Sequence, residues 1–149
     1  MEALDLPGPD AISDDRELDP RLGAILDAGF EDIGGCIVLA RFAESARGAS
    51  PADLGDETGL EAFVNHLHID DELASAAESE VLIQAVLFVR RLARELSAAY
   101  PDDAFEIVLA FSDSCTVRFH RSRPGQSWLA NDIESYDEAL LWVFVRARN

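Results

Sequence analysis

The chain has 149 residues, 48% of them hydrophobic, and a net charge of −17 that rests on 29 acidic side chains against 12 basic ones. This length suits one domain with a core that needs no staples, and the apolar content excludes a disordered chain. So much negative charge opposes DNA, RNA and anionic lipid, and favours encounter with a basic partner. The charge is uneven. Residues 1–80 carry 20 Asp/Glu and 4 Arg, whereas residues 81–149 carry 9 Asp/Glu and 8 Arg, and lysine is absent throughout.

In chain order, residues 1–17 form an acidic arm broken by Pro7, Gly8 and Pro9, which we read as flexible; residues 18–149 read as a single domain. Its start, Met1-Glu2-Ala3-Leu4-Asp5, has neither the basic nor the apolar stretch of a secretory leader, so we expect a cytoplasmic protein. A short helix follows over Pro20–Ala28, with Asp19 as cap, Pro20 in the first turn and Gly29 as stop. Cys36–Phe42 reads as a strand, and residues 44–59 read as a loop rich in small residues. Leu60, Phe63, Val64 and Leu67 recur at helical spacing and predict a helix over 60–67 with Thr58 as cap.

A long helix is predicted over 80–99, capped by Ser79 and stopped at Tyr100-Pro101. Its stripe of Leu82, Val86, Val89, Ala93 and Leu96, widened by Ile83, Leu87 and Phe88, marks a deeply packed face. Arg90, Arg91 and Arg94 mark the wetter side. Residues 105–111 and 115–121 alternate as strands. Only a three-residue loop, Ser112-Asp113-Ser114, keeps apolar residues on one face, pairing Phe111 with Cys115 and Ile107 with Phe119, and placing Glu106 beside His120. After a Pro124-Gly125 loop, Trp128-Leu129 offers a brief pairing and residues 132–138 a turn. The unbroken apolar run 139–145 predicts a strand in the centre of its sheet. The sum is an α+β fold: short N-terminal helices, and the long helix packed on a mostly antiparallel sheet of 36–42, 105–111, 115–121 and 139–145.

Three groups of residues invite a functional reading. Asp53, Asp56, Glu57, Asp70, Asp71 and Glu72 cluster in and beside the loops of the acidic half and are candidate contacts to a basic protein. Arg118, His120, Arg121 and Arg123, near Trp128, could grip an anion, although Glu106, Asp132 and Glu134 stand ready to neutralise them. His66-Leu67-His68-Ile69-Asp70-Asp71 is similar to the HxHxDH metal motif of the metallo-β-lactamase fold, with Asp71 in place of the last histidine. On a helix, histidines two apart do not face each other, so we expect no metal. Cys36 and Cys115 lie far apart in apolar runs and read as buried free thiols. Cys115 and His120 fall on opposite strand faces, which leaves no thiol–imidazole pair, and we expect neither a cofactor nor an enzyme.

Val117-Arg118-Phe119-His120-Arg121, then Gly125-Gln126-Ser127-Trp128-Leu129 and the strand 140–145, resemble immunity proteins of bacterial contact-dependent and polymorphic toxin systems. The resemblance covers the last third of the chain. It implies a small acidic α+β binding protein that blocks a basic, nuclease-like toxin domain. The alternative reading is a small ligand-binding or enzymatic domain built on Arg118, His120 and Arg121.

Overall fold

The computed structural model of the protein describes residues 16–50, 52–53, 55–126 and 139–148. Helix α1 spans Pro20–Asp27. The Asp19 carboxylate accepts the Arg21 amide at 2.9 Å, supplying a partner for an otherwise unpaired first-turn donor. Leu22, Ile25 and Leu26 are its buried face. Strands β1 (Phe30–Ile33) and β2 (Cys36–Leu39) then form an antiparallel hairpin. Its two-residue turn is Gly34-Gly35, with φ of +61° and +91°, a conformation that favours glycine at both places.

A 3-10 turn over Ala40–Phe42 leads into α2 (Ala43–Arg47), and α3 follows at Glu57–Val64. Strand β3 (His66–His68) and the single turn α4 (Ile69–Glu72) precede the 22-residue α5 (Glu78–Ala99). Strands β4 (Phe105–Phe111), β5 (Cys115–Arg121) and β6 (Ala139–Val145) complete the order. The fold is α+β, with a four-stranded antiparallel sheet ordered β3-β5-β4-β6. The β4–β5 hairpin has the predicted register, with Phe111 opposite Cys115, Ile107 opposite Phe119 and Glu106 opposite His120.

One face of this sheet meets α5. Ile107, Leu109, Val117 and Phe119 are buried against Val81, Ala85, Phe88, Leu92 and Leu96. Each fully buried leucine or phenylalanine contributes about 1.5–3 kcal/mol, so this layer dominates the stability. Gln84 is the polar exception on α5. It donates to the Glu17 carbonyl and accepts the Asp19 amide, and Arg16 pairs with Glu80, so the last two residues of the predicted arm are tied to α5. Among the described residues, no helix is long and apolar enough to cross a membrane.

Several expectations need correction. The strand expected over 36–42 ends at Leu39 and belongs to its own two-stranded sheet, because its second edge is met by side chains of α3 rather than by a strand. The fourth strand of the main sheet is instead β3, which sequence periodicity hid inside a helical pattern. The α3 helix starts at Glu57 with Asp56, not Thr58, as its cap, the Asp56 carboxylate accepting the Gly59 amide at 2.7 Å. Phe63 is therefore not part of a buried stripe, and is 62% exposed. The region read as a loop contains α2. Among the described strands β6 pairs only with β4, so it is an edge and not a centre. The features expected at 128–129 and 132–138, and the arm up to residue 15, lie outside the described residues.

Candidate functional site

The most ordered polar constellation grows from one face of α3. Thr58, Glu61 and Asn65 are spaced three and four apart, so they share that face, and all three are buried. Glu61 is wholly shielded from solvent. One of its oxygens accepts the Ile37 amide of β2 at 2.6 Å; the other accepts the Arg121 amide of β5 at 2.9 Å and the Arg123 guanidinium at 2.6 Å. Asn65 accepts the Leu39 amide at 3.0 Å and donates to the Ile37 carbonyl at 2.9 Å. Together they serve β2 as a neighbouring strand would, by pairing its free backbone groups. Gln126 extends the network, accepting from the Thr58 hydroxyl at 2.7 Å and donating to Glu57 at 3.2 Å.

This network consumes much of the predicted anion cluster. Arg123 is held by Glu61, Thr58 and the Gly35 carbonyl, and Arg121 by Asp103 at 3.1 Å and the same carbonyl. Arg118 donates to the Ala62 carbonyl at 3.4 Å. His120 is buried, with Nδ1 3.0 Å from the Arg121 carbonyl and 3.7 Å from Glu106. Trp128, Asp132 and Glu134 lie outside the described residues. The acids that meet these arginines are Glu61 and Asp103, which are far away in sequence and gave no signal there. What this arrangement does is clamp β2, α3 and β5 together.

The six acidic candidates divide in the same way. Asp70 accepts the Cys115 amide at the start of β5, Glu72 pairs with Arg41 at 2.6 Å, Asp56 caps α3 and Glu57 meets Gln126. Asp53 and Asp71 are exposed, with no side-chain bond to a described residue. Nor do the six form one patch. Asp70 sits at Cys115, while the α3 group sits at Arg121, six residues further along β5, which is about 20 Å at strand rise. Replacing Asp70 by alanine should therefore cost about 1–2 kcal/mol of stability, since it strands a partly buried amide. Urea unfolding measures that loss, and an unchanged midpoint would contradict it.

The histidine pair behaves differently from expectation. Residues 66–68 are extended, so His66 and His68 share a face, with ring centroids 4.6 Å apart. Asp70 turns away to Cys115, and among the described residues no three His, Cys, Asp or Glu side chains gather as a metal site. Burial, then the neighbouring Arg118 and His68, pushes the His66 imidazole down to about 4, and its Nε2 is buried without a partner. A histidine lowered on folding binds protons better in the unfolded chain. Stability carried by neutral His66 is thus full above about pH 6.5 and is lost as pH falls toward 4. His66→Gln should lose less stability between pH 7 and 5 than the parent, as read by urea unfolding; parallel profiles would contradict this.

Both cysteines are buried and free. Burial, and secondarily the Asp70 charge, pushes the Cys115 thiol up to about 12, which keeps it a thiol at neutral pH. It faces the α5 side of the sheet, away from His120, so the two do not meet.

Fold and contacts define an α+β domain in which, among the described residues, seven arginines meet carboxylates of the same chain. The chain belongs to the Uncharacterized protein PM0498 family, whose model matches residues 9–147. No curated protein and no solved structure matches the chain.

Proposed function

We propose that this protein is a stoichiometric binding protein that covers the basic cleft of another protein, in the manner of an immunity protein blocking a nuclease-like toxin domain. One observation carries the reading. Seven arginines, 16, 21, 41, 47, 91, 121 and 123, are each held by a carboxylate of the same chain. They hold the fold together and offer a partner little positive charge, while the acidic surplus of a chain at −17 projects a field that draws a basic surface in. Asp53 and Asp71 are the candidate contacts best suited to meet it, because the other four serve the fold.

Such a protein works in the cytoplasm, needs no cofactor and catalyses nothing. The alternative, an anion site at Arg118, His120 and Arg121, is disfavoured by the inward contacts of those groups. The test is a titration against the basic domain encoded by a neighbouring reading frame. Activity of that domain should fall linearly to zero at one equivalent. Undiminished activity with excess inhibitor would overturn the proposal.

A further inference from the structure

Three pieces of the chain meet at one end of the main sheet and leave a cavity between them. The α4 turn is pinned there, because Asp70 accepts the Cys115 amide at 3.0 Å. After α4 the chain turns through Ser75, at φ +83°, and enters α5 at Glu78. The Ser112-Asp113-Ser114 turn of the β4–β5 hairpin stands opposite, closed by the Ser112 amide donating to the Ser114 carbonyl at 2.9 Å. The cavity framed by these pieces has a volume of about 140 Å³ and opens at the surface.

Its lining is of two kinds. Leu73, Val81, Phe111 and Cys115 are buried and form an apolar floor. Glu78 and Asp113 line it from exposed positions, on α5 and on the hairpin turn, and Asp70 adds a third carboxylate. The positive end of the α5 dipole also lies here, and Glu78 and Glu80 in the first turn oppose it. Charge and shape together decide what fits. An anion would face three carboxylates, and a purely apolar guest would strip water from them without replacing it. A cation on an apolar stem satisfies both parts, with methylenes against the floor and charge among the carboxylates. Arginine suits the place better than lysine, because its flat, weakly hydrated guanidinium tolerates a partly apolar pocket and packs on aromatic rings such as Phe111. A cavity of about 150 Å³ is enough to take benzene. The space here therefore admits one guanidinium with its last methylenes.

We propose that this cavity receives an arginine side chain of the basic partner, held between Glu78 and Asp113 over the floor of Leu73, Val81 and Phe111. The inference rests on the binding role proposed above and gives it a fixed point on the surface. The field of the whole chain draws the partner in, whereas the cavity holds one side chain in place, so it acts on dissociation more than on association. Asp71, exposed on α4 and next in the chain to Asp70, lies beside this point and belongs to the same contact.

The experiment has two arms. In the first, the isotope-labelled full chain in about 0.15 M salt is titrated with N-acetyl-arginine amide, with its uncharged isostere N-acetyl-citrulline amide, and with inorganic phosphate, and the backbone amides are followed by NMR. The arginine amide should shift Ser75, Glu78, Ser112 and Ser114 saturably, the citrulline amide should bind about tenfold more weakly or worse, and phosphate should leave these amides unmoved. Glu78→Gln with Asp113→Asn, both at exposed positions, should keep the parent's circular dichroism and weaken the arginine amide about tenfold. In the second arm, the same double variant should release the basic domain encoded by a neighbouring reading frame about tenfold faster, with the association rate changed less. Arginine shifts spread over the acidic surface without favouring the cavity would overturn the proposal. So would shifts from phosphate in place of arginine, or a domain that binds the parent and leaves the double variant at the same rate. A domain that does not bind the parent at all would overturn the function proposed above, and the first arm, which uses no partner, tells that failure from a failure of the cavity.

Discussion

Replacing Glu61 with glutamine should destabilise the protein by about 3–5 kcal/mol, the cost of breaking a buried ion pair from one side. Arg123 would keep its charge in a largely buried place, with only Thr58 and main-chain carbonyls left as partners. The new amide would also point a donor at the Ile37 or Arg121 amide, both of which need an acceptor. For a chain of this size the melting temperature should fall by roughly 10 °C. Urea unfolding would show a lower midpoint with an unchanged slope. Arg123→Met alone should cost less, because the carboxylate keeps two amide donors. The two changes together should cost less than their sum, as expected for groups in one network. Additive losses would mean that Glu61 and Arg123 are not coupled.

The second large effect concerns binding. Asp53→Arg with Asp71→Arg moves the net charge from −17 to −13 and removes no side-chain bond among the described residues. Stability should change by less than about 0.5 kcal/mol for each exposed site. The association rate with a basic partner should fall by about tenfold at low salt, and the dissociation rate should change less. Asp70→Ala should do the reverse, lowering stability while leaving the association rate close to that of the parent. A double reversal that leaves the association rate untouched would place the interface elsewhere.

The parts of the fold legible in the sequence were those written in local periodicity. The α5 helix, the Asp19 cap and the β4–β5 register follow from side-chain periodicity and turn length, and the structure has them. Within α5 the buried face is centred on Val81, Ala85, Phe88, Leu92 and Leu96, with Leu82 and Ala93 of the expected stripe only half-buried, and the helix starts at Glu78 rather than after a Ser79 cap. Strand β3 was not legible, because three residues are too few for a period to show and Leu67 also fits the helical spacing of Leu60 and Val64. The edge position of β6 was hidden for another reason. An apolar run suggests cover on both faces, yet Phe144 of β6 is 62% exposed.

The Glu61 network was illegible because its partners come from β2 and β5, some 24 to 62 residues away, and in so acidic a chain one more glutamate carries no signal. The arginine cluster and its neutralisation by acids of the same chain were legible, but not which acids: Asp103 meets Arg121 and Glu61 meets Arg123. Strand parity gives the face a side chain leaves from, not the element that waits there. The same limit applies to the acidic candidates, four of which make side-chain bonds within the fold while Asp53 and Asp71 make none to a described residue.

The most direct test of the account is retention of the basic domain encoded by a neighbouring reading frame on this protein, compared at about 0.05 M and about 0.5 M salt. Tight capture at low salt and release at high salt are expected, with the Asp53→Arg, Asp71→Arg variant weakened at low salt and little different from the parent at high salt. Capture that is indifferent to salt, or no capture at either concentration, would contradict it.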